Sequence, residues 1–137
     1  MVLISALFIL AGCAQQQNPE AALAKKIVID YYTALNNKDY QTMYDLMSEG
    51  FKQIEPTAAT YEIFVASMSK FFDTANGIHV TSTKATSATL TEIVVDYVAV
   101  IELKNGRSKE LKSSFTVRKK PEGWKLIHPY GDKIDFS

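Results

Sequence analysis

The sequence predicts an α+β domain in which three helices precede an antiparallel meander of four or more strands. Three observations carry that expectation. Between Glu20 and Asn76 apolar residues recur at the 3.6-residue spacing of amphipathic helices. After Gly77 the period falls to two. Between two such alternating runs stands Asn105-Gly106, a strong short-range hairpin signal.

The first helix opens at Glu20 behind Pro19, whose fixed φ suits a first turn, and its stripe is Ala24, Ile27, Val28, Tyr31 and Leu35. Asn36-Asn37 is a plausible stop. A second helix starts at Asp39 or its neighbour, carries Tyr40, Met43, Tyr44 and Met47, and is expected to end at Ser48-Glu49-Gly50. The third begins near Thr60, a good N-cap with Ile63 rather than Glu at the capping-box position. Its stripe is Tyr61, Phe64, Val65, Met68 and Phe72, and Asn76-Gly77 is expected to close it. Strands then read as Ile78 to Lys84, Leu90 to Leu103, Arg107 to Lys119 and Trp124 to Tyr130, with a turn over Lys120-Pro121-Glu122-Gly123.

The segment VIDYYTALNNKDYQTMYDLMSEGF, Val28 to Phe51, is similar to the opening helices of small bacterial members of the NTF2-like superfamily, and WKLIHPYG, Trp124 to Gly131, resembles their last strand. The likeness spans roughly Ala21 to Tyr130. It implies helices packed in the hollow of a strongly bent sheet. These are packing motifs, so they speak to fold before function.

Register gives the expected lining of that hollow. If Asn105 and Gly106 are the two loop residues, Lys104 faces Arg107, Val100 faces Leu111, Val98 faces Ser113, Asp96 faces Phe115 and Val94 faces Val117. If Lys119 faces Trp124, then Val117 faces Leu126, Phe115 faces His128 and Ser113 faces Tyr130. Leu111, Phe115 and Val117 are core residues, so Asp96, Ser113, Phe115, His128 and Tyr130 are the expected pocket. An apolar hollow with a few convergent polar groups is the usual make-up of a small-molecule site. Asp96 and His128 would stand two strand spacings apart, roughly 9–10 Å between backbones, where a ligand could bridge them. The plainer alternative is that each is a hydrogen-bond partner near a cavity mouth. Tyr31, Tyr32 and Tyr97 read as packing residues. His79 alternates with Ile78 and Val80 and is expected to face outward without a metal.

On this register the opposite face of the long strand carries Val95, Tyr97, Ala99, Ile101 and Leu103. A strand apolar on both faces is normally covered on both. The resemblance points the same way, so a homodimer through this stripe is expected.

The first residues carry the most specific chemistry. The apolar run from Val2 to Ala11 is about ten residues, where a membrane span needs roughly 20 and a signal-peptide core roughly 7–15. It ends in Leu10-Ala11-Gly12-Cys13, and Cys13 is the only cysteine of the chain. This tetrad resembles the lipobox of bacterial lipoproteins. The resemblance implies cleavage before Cys13 and acylation of its thiol, giving a signal peptide over residues 1–12, a lipidated cysteine and tether over 13–19 and a folded domain over 20–137. It also implies attachment to the bacterial envelope, at the outer membrane in a Gram-negative host because Ala14 rather than an acidic residue follows. No Lys or Arg precedes the apolar core, which places the true start upstream or makes export inefficient.

The chain has 137 residues, 15 basic and 15 acidic, so no field of one sign favours nucleic acid. No nucleotide-binding loop, nucleophile motif or metal cluster is readable, and no cofactor is implied. The expected function is a lipid-anchored envelope domain, non-catalytic, binding a small apolar ligand or a protein partner. The alternatives are an isomerase or dehydratase with Asp96 as base and His128 or Tyr130 as acid or hydrogen-bond donor, and a purely structural lipoprotein. Against the enzyme, the second cavity carboxylate of the ketosteroid-isomerase pattern has no clear counterpart.

Overall fold

The computed structural model describes residues 18–129. The signal peptide, Cys13, the tether up to Gln17, and Tyr130 lie outside the described residues, and Asn18 and Pro19, expected in the tether, belong to the start of the first helix. Helix α1 (Pro19–Asn36) starts as its sequence dictates: the Asn18 side chain accepts the Glu20 N–H at 3.0 Å, and proline occupies the first turn. Its buried stripe is Ala24, Ile27, Val28, Tyr32 and Leu35. Lys38, with φ of 56°, turns the chain into α2 (Tyr40–Leu46), which Asp39 caps through the Thr42 N–H.

Ser48-Glu49-Gly50 does not simply end a helix. The Ser48 hydroxyl accepts the Phe51 N–H at 3.0 Å and so starts α3 (Glu49–Ile54). A short 3-10 turn (Pro56–Ala58) follows, then α4 (Tyr61–Ser69), capped by Thr60, and the single turn α5 (Phe71–Thr74). The three expected helices are therefore present with two short ones beside them. Asn76-Gly77 closes no helix. It lies inside β1 (Ala75–Ala88), where Gly77 pairs with Glu102. Space is tight there, because an added Cβ would meet Asn36 Oδ1, which is held by its bond to Ile78, at 3.2 Å.

The sheet is the expected antiparallel meander, ordered β1-β2-β3-β4, with β2 (Glu92–Leu103), β3 (Ser108–Lys120) and β4 (Gly123–Ile127). Three register shifts along β1, after Ala75, Val80 and Ala85, bend it. The helices lie in the resulting hollow, and Val28, Met43, Met47, Phe64, Ile93, Val95, Val117 and Leu126 form the dry centre of the core.

The helical half engages each sheet edge at one point. On β1 the Asn36 amide donates to Ile78 O at 2.6 Å and accepts the Ile78 N–H at 2.8 Å, so a side chain imitates a further strand. On β4, Met47 forms a parallel bridge with Leu126, and the Ser48 N–H donates to Leu126 O at 2.9 Å. Open edges invite pairing with other chains, and these contacts occupy one point on each.

The β2–β3 turn corrects the expected register. It has three loop residues, Lys104-Asn105-Gly106, with Leu103 N–H donating to Arg107 O at 2.8 Å and Gly106 N–H to Leu103 O at 3.0 Å. Gly106 has φ of 80°. This is a turn closed by a left-handed glycine, a bulged hairpin rather than a two-residue one. Asp96 therefore faces Ser114, Tyr97 faces Ser113 and Val95 faces Phe115. A one-residue slip turns every side chain to the other face. Ile93, Val95, Tyr97 and Ala99 are buried under the helices. Val94, Asp96, Val98 and Val100 face away from them. The stripe expected to make a homodimer is thus the core face of β2. The β3–β4 register is as expected, with Lys119 opposite Trp124 and Val117 opposite Leu126.

Gly106→Ala places a Cβ in the left-handed region and should lower the unfolding free energy by about 1 kcal/mol in a denaturant titration. An unchanged or raised midpoint would show that the turn does not depend on that conformation.

Candidate functional site

Where the sequence predicts an apolar hollow with a few polar groups, the structure has an aromatic stack. Phe115 lies parallel to Tyr97, with ring centroids 5.6 Å apart and planes 11° apart. Tyr31 meets Phe115 edge-on at 5.7 Å and Tyr32 edge-on at 5.3 Å. The Tyr32 and Tyr97 hydroxyls are hydrogen-bonded to each other at 2.6 Å, buried. Each ring arrives by its local pattern. Tyr31 and Tyr32 sit on the sheet-facing side of α1, Tyr97 on the inward face of β2, and Phe115 directly across from Val95 on β3. Burial, then the Tyr97 partner, drives the ionisation of both Tyr31 and Tyr32 well above the usual phenol range. Both phenols are therefore neutral at physiological pH. Among the described residues, every buried side-chain nitrogen and oxygen has a hydrogen-bond partner.

Of the five residues expected to converge, Tyr130 lies outside the described residues, and the other four do not come together. Asp96 is exposed on the outward face, opposite Lys84 of β1 and Ser114 of β3. Ser113 is exposed and lies across from Tyr97. Phe115 belongs to the stack. His128 lies one residue past β4, where it is only 7% exposed. His79 faces outward as expected, 3.7 Å from Glu102 across the strand pair.

His128 has a partner that the sequence did not suggest. Its Nε2 stands 3.5 Å from Glu55 Oε2, and its ring packs edge-on against Phe51 at 5.1 Å. Glu55 is placed by local chemistry. Its carboxylate accepts the Thr57 N–H at 3.1 Å and the Thr57 hydroxyl at 2.7 Å, capping the turn that Pro56 begins. Those Thr57 bonds, followed by His128, hold the carboxyl below its ordinary range. The one readable signal was the Glu-Pro-Thr cap. Its reach to His128 is a tertiary contact without any local signature.

A depression on the sheet has a volume of about 510 Å³. Five of its lining residues, Ser82, Lys84, Asp96, Val98 and Lys112, are put by the register on the face away from the helices, and three, Thr83, Tyr97 and Ser113, on the face toward them. Val98 forms an apolar floor between two ammonium groups and a carboxylate. That composition suits a surface bearing both charges around an apolar residue. Among the described residues, no three His, Cys, Asp or Glu side chains are grouped to hold a metal.

Comparisons with known proteins agree with this architecture. No curated protein matches the chain. Among solved structures, a candidate aromatic-ring hydroxylase from Novosphingobium aromaticivorans superposes with a TM-score of 0.56 at 17% identity, covering 81% of this chain and 87% of its own. A candidate dehydratase of the NTF2-like family from Streptomyces avermitilis gives 0.52 at 17% identity, covering 79% and 92%. A ketosteroid isomerase-like protein from Erwinia carotovora atroseptica gives 0.51 at 20% identity, covering 80% and 92%. At such identities the likeness is one of fold. Residues 25–130 match the SnoaL-like domain over most of the chain, and with helices seated in a bent four-stranded meander, the chain belongs to that family and carries an NTF2-like domain.

Proposed function

We propose that the protein is a non-catalytic binding domain, held to the bacterial cell envelope by lipid on Cys13, whose partner docks on the outward face of the sheet. The aromatic stack carries this reading. Tyr31, Tyr32, Tyr97 and Phe115 occupy the space in which an apolar ligand would lie, and the Tyr32 and Tyr97 hydroxyls satisfy one another. The isomerase or dehydratase alternative relied on Asp96 as a base inside the hollow, and Asp96 faces solvent on the other side. His128 is engaged by Glu55 and Phe51, which ties the end of β4 to the segment after α3. That pair is read as a structural clasp.

The outward face supports a partner. Val94, Val98 and Val100 are half-buried along β2, with Asp96, Lys84, Lys112 and Glu110 around them. A stripe of valines bordered by both signs of charge is self-complementary about a two-fold axis, so a second copy of the chain is the simplest occupant. The homodimer expected from the sequence is thereby moved to the opposite face of the same strand.

Three outcomes are expected. Cells fed labelled palmitate should label the protein, and Cys13→Ser should abolish the label. A Cys13→Ser chain that still takes up label would sink the anchor. By light scattering, the chain from Ala14 onward should run as a dimer at high concentration, and adding Val98→Arg should make it a monomer. A monomer in the first case removes the proposed face. The Glu55 clasp has a pH signature. A carboxyl held below its unfolded value of 4.5 stabilises the fold above that pH, and the contribution is lost as pH falls through the lowered folded value. Glu55→Gln should therefore flatten the loss of thermal stability below about pH 4.5 while leaving its shape near neutrality unchanged. An acid limb identical to that of the parent would show that the Glu55 carboxylate, held mainly by Thr57 and less by His128, contributes nothing.

A further inference from the structure

In an antiparallel meander the first and third turns lie at one end of the sheet and the second at the other. Here the β1–β2 and β3–β4 turns share an end, and the Asn105 turn is opposite. The start of α1 sits at the first end. Glu20 Oε1 lies 3.4 Å from Lys119 Nζ, and the Lys119 N–H donates to Thr91 O at 2.8 Å. One end of the domain thus gathers the point where the tether leaves, the tip of the first hairpin and the last turn.

That tip presents Leu90, which is 85% exposed, about twice the exposure of Leu23, Ile29 or Ile63. The turn beneath it is closed. Thr89 N–H donates to Glu92 O at 2.7 Å, and the Thr89 hydroxyl accepts the N–H groups of Thr91 and Glu92 at 3.3 and 3.0 Å. A satisfied turn holds the leucine outward. The charges around it largely cancel. Glu20 pairs with Lys119, Glu92 pairs with Arg118 at 3.0 Å, and Lys120 stands two positions from Glu122. The end is therefore neutral, with one large apolar side chain at its apex.

We propose that this end faces the membrane, with Leu90 inserted among the headgroups of the bilayer to which Cys13 is attached. The inference rests on the lipid-anchor reading above. Five residues, Ala14 to Asn18, separate the cysteine from α1. Fully extended they span roughly 18 Å, so the start of α1 cannot leave the neighbourhood of the surface. One leucine is too little to hold a free protein on a bilayer. For a protein already tethered the second contact is intramolecular, and a weak contact is enough to set orientation. Because the end is neutral, its insertion needs no anionic lipid. The strands then stand upright on the membrane, the Asn105 turn points away from it, and the valine face of β2 is presented sideways to a partner.

The test uses three full chains: the parent, whose only tryptophan is Trp124, Leu90→Trp, and Asn105→Trp. Each is expressed in a bacterium, extracted and reconstituted into phosphatidylcholine vesicles with plain or brominated acyl chains. Flotation reports first whether the chain is anchored. The emission added by Leu90→Trp should fall by about half in brominated vesicles, as expected for a side chain at the boundary of headgroups and tails. Asn105→Trp should behave as the parent does. Equal quenching at both positions, or none at Leu90→Trp, overturns the proposed orientation. A chain that fails to float overturns the anchor instead. The same three chains, coupled through the Cys13 thiol to a maleimide lipid, then test the orientation by the same comparison. Both substituted positions lie in exposed turns, and matching unfolding midpoints verify that the fold is kept.

Discussion

The left-handed glycine at position 106 decides which face of β2 the helices see. With φ of 80° it closes a three-residue loop, and that single extra residue sets Tyr97 rather than Asp96 against α1. The energetics favour this choice. Turned inward, Asp96 would bring a carboxylate against Phe115, and a buried charge without a partner costs several kcal/mol or is neutralised. Tyr97 brings a ring that stacks and a hydroxyl that finds Tyr32 at 2.6 Å. The filled hollow, the outward valines and the loss of Asp96 as a cavity base all descend from this turn.

The second constraint is that the helices hold the sheet by its edges as well as by its face. Asn36 saturates Ile78 on one side, and Met47-Ser48 extends β4 on the other. The first contact explains Gly77, since a methyl group there would press on the Asn36 amide. The second explains why Ser48 is almost wholly buried although it is polar. A backbone bond to Leu126 and the cap of α3 use its N–H and hydroxyl together. Such clasps join the two layers of the domain through groups that would otherwise be unsatisfied.

Much of this fold was legible because it is written locally. The stripe of α1, the caps at Asp39 and Thr60, and the change of period near Gly77 each lie within a few residues and point one way. Register was not legible from Asn-Gly alone. That pair serves a two-residue turn, with both residues left-handed, and equally a three-residue turn with glycine last. The deciding signal was Asp96 itself: the correct register is the one that keeps it wet. Ser48-Glu49-Gly50 misled because glycine reads as a stop, whereas serine is the better start. The Glu55–His128 contact had no sequence signature, since proximity between α3 and the end of β4 exists only in the fold.

The bond between Ser48 and Leu126 also bears on when the domain can form. A chain is made from its N-terminus, and β4 holds some of the last described residues. Until it is complete, Met47 and Ser48 have no strand to join, and Val117 lacks the Leu126 beside it in the core. The N-terminal helices can coil early, but neither the second edge nor the core can close. The growing polypeptide therefore stays open until β4 has been made, whatever the helices do before then.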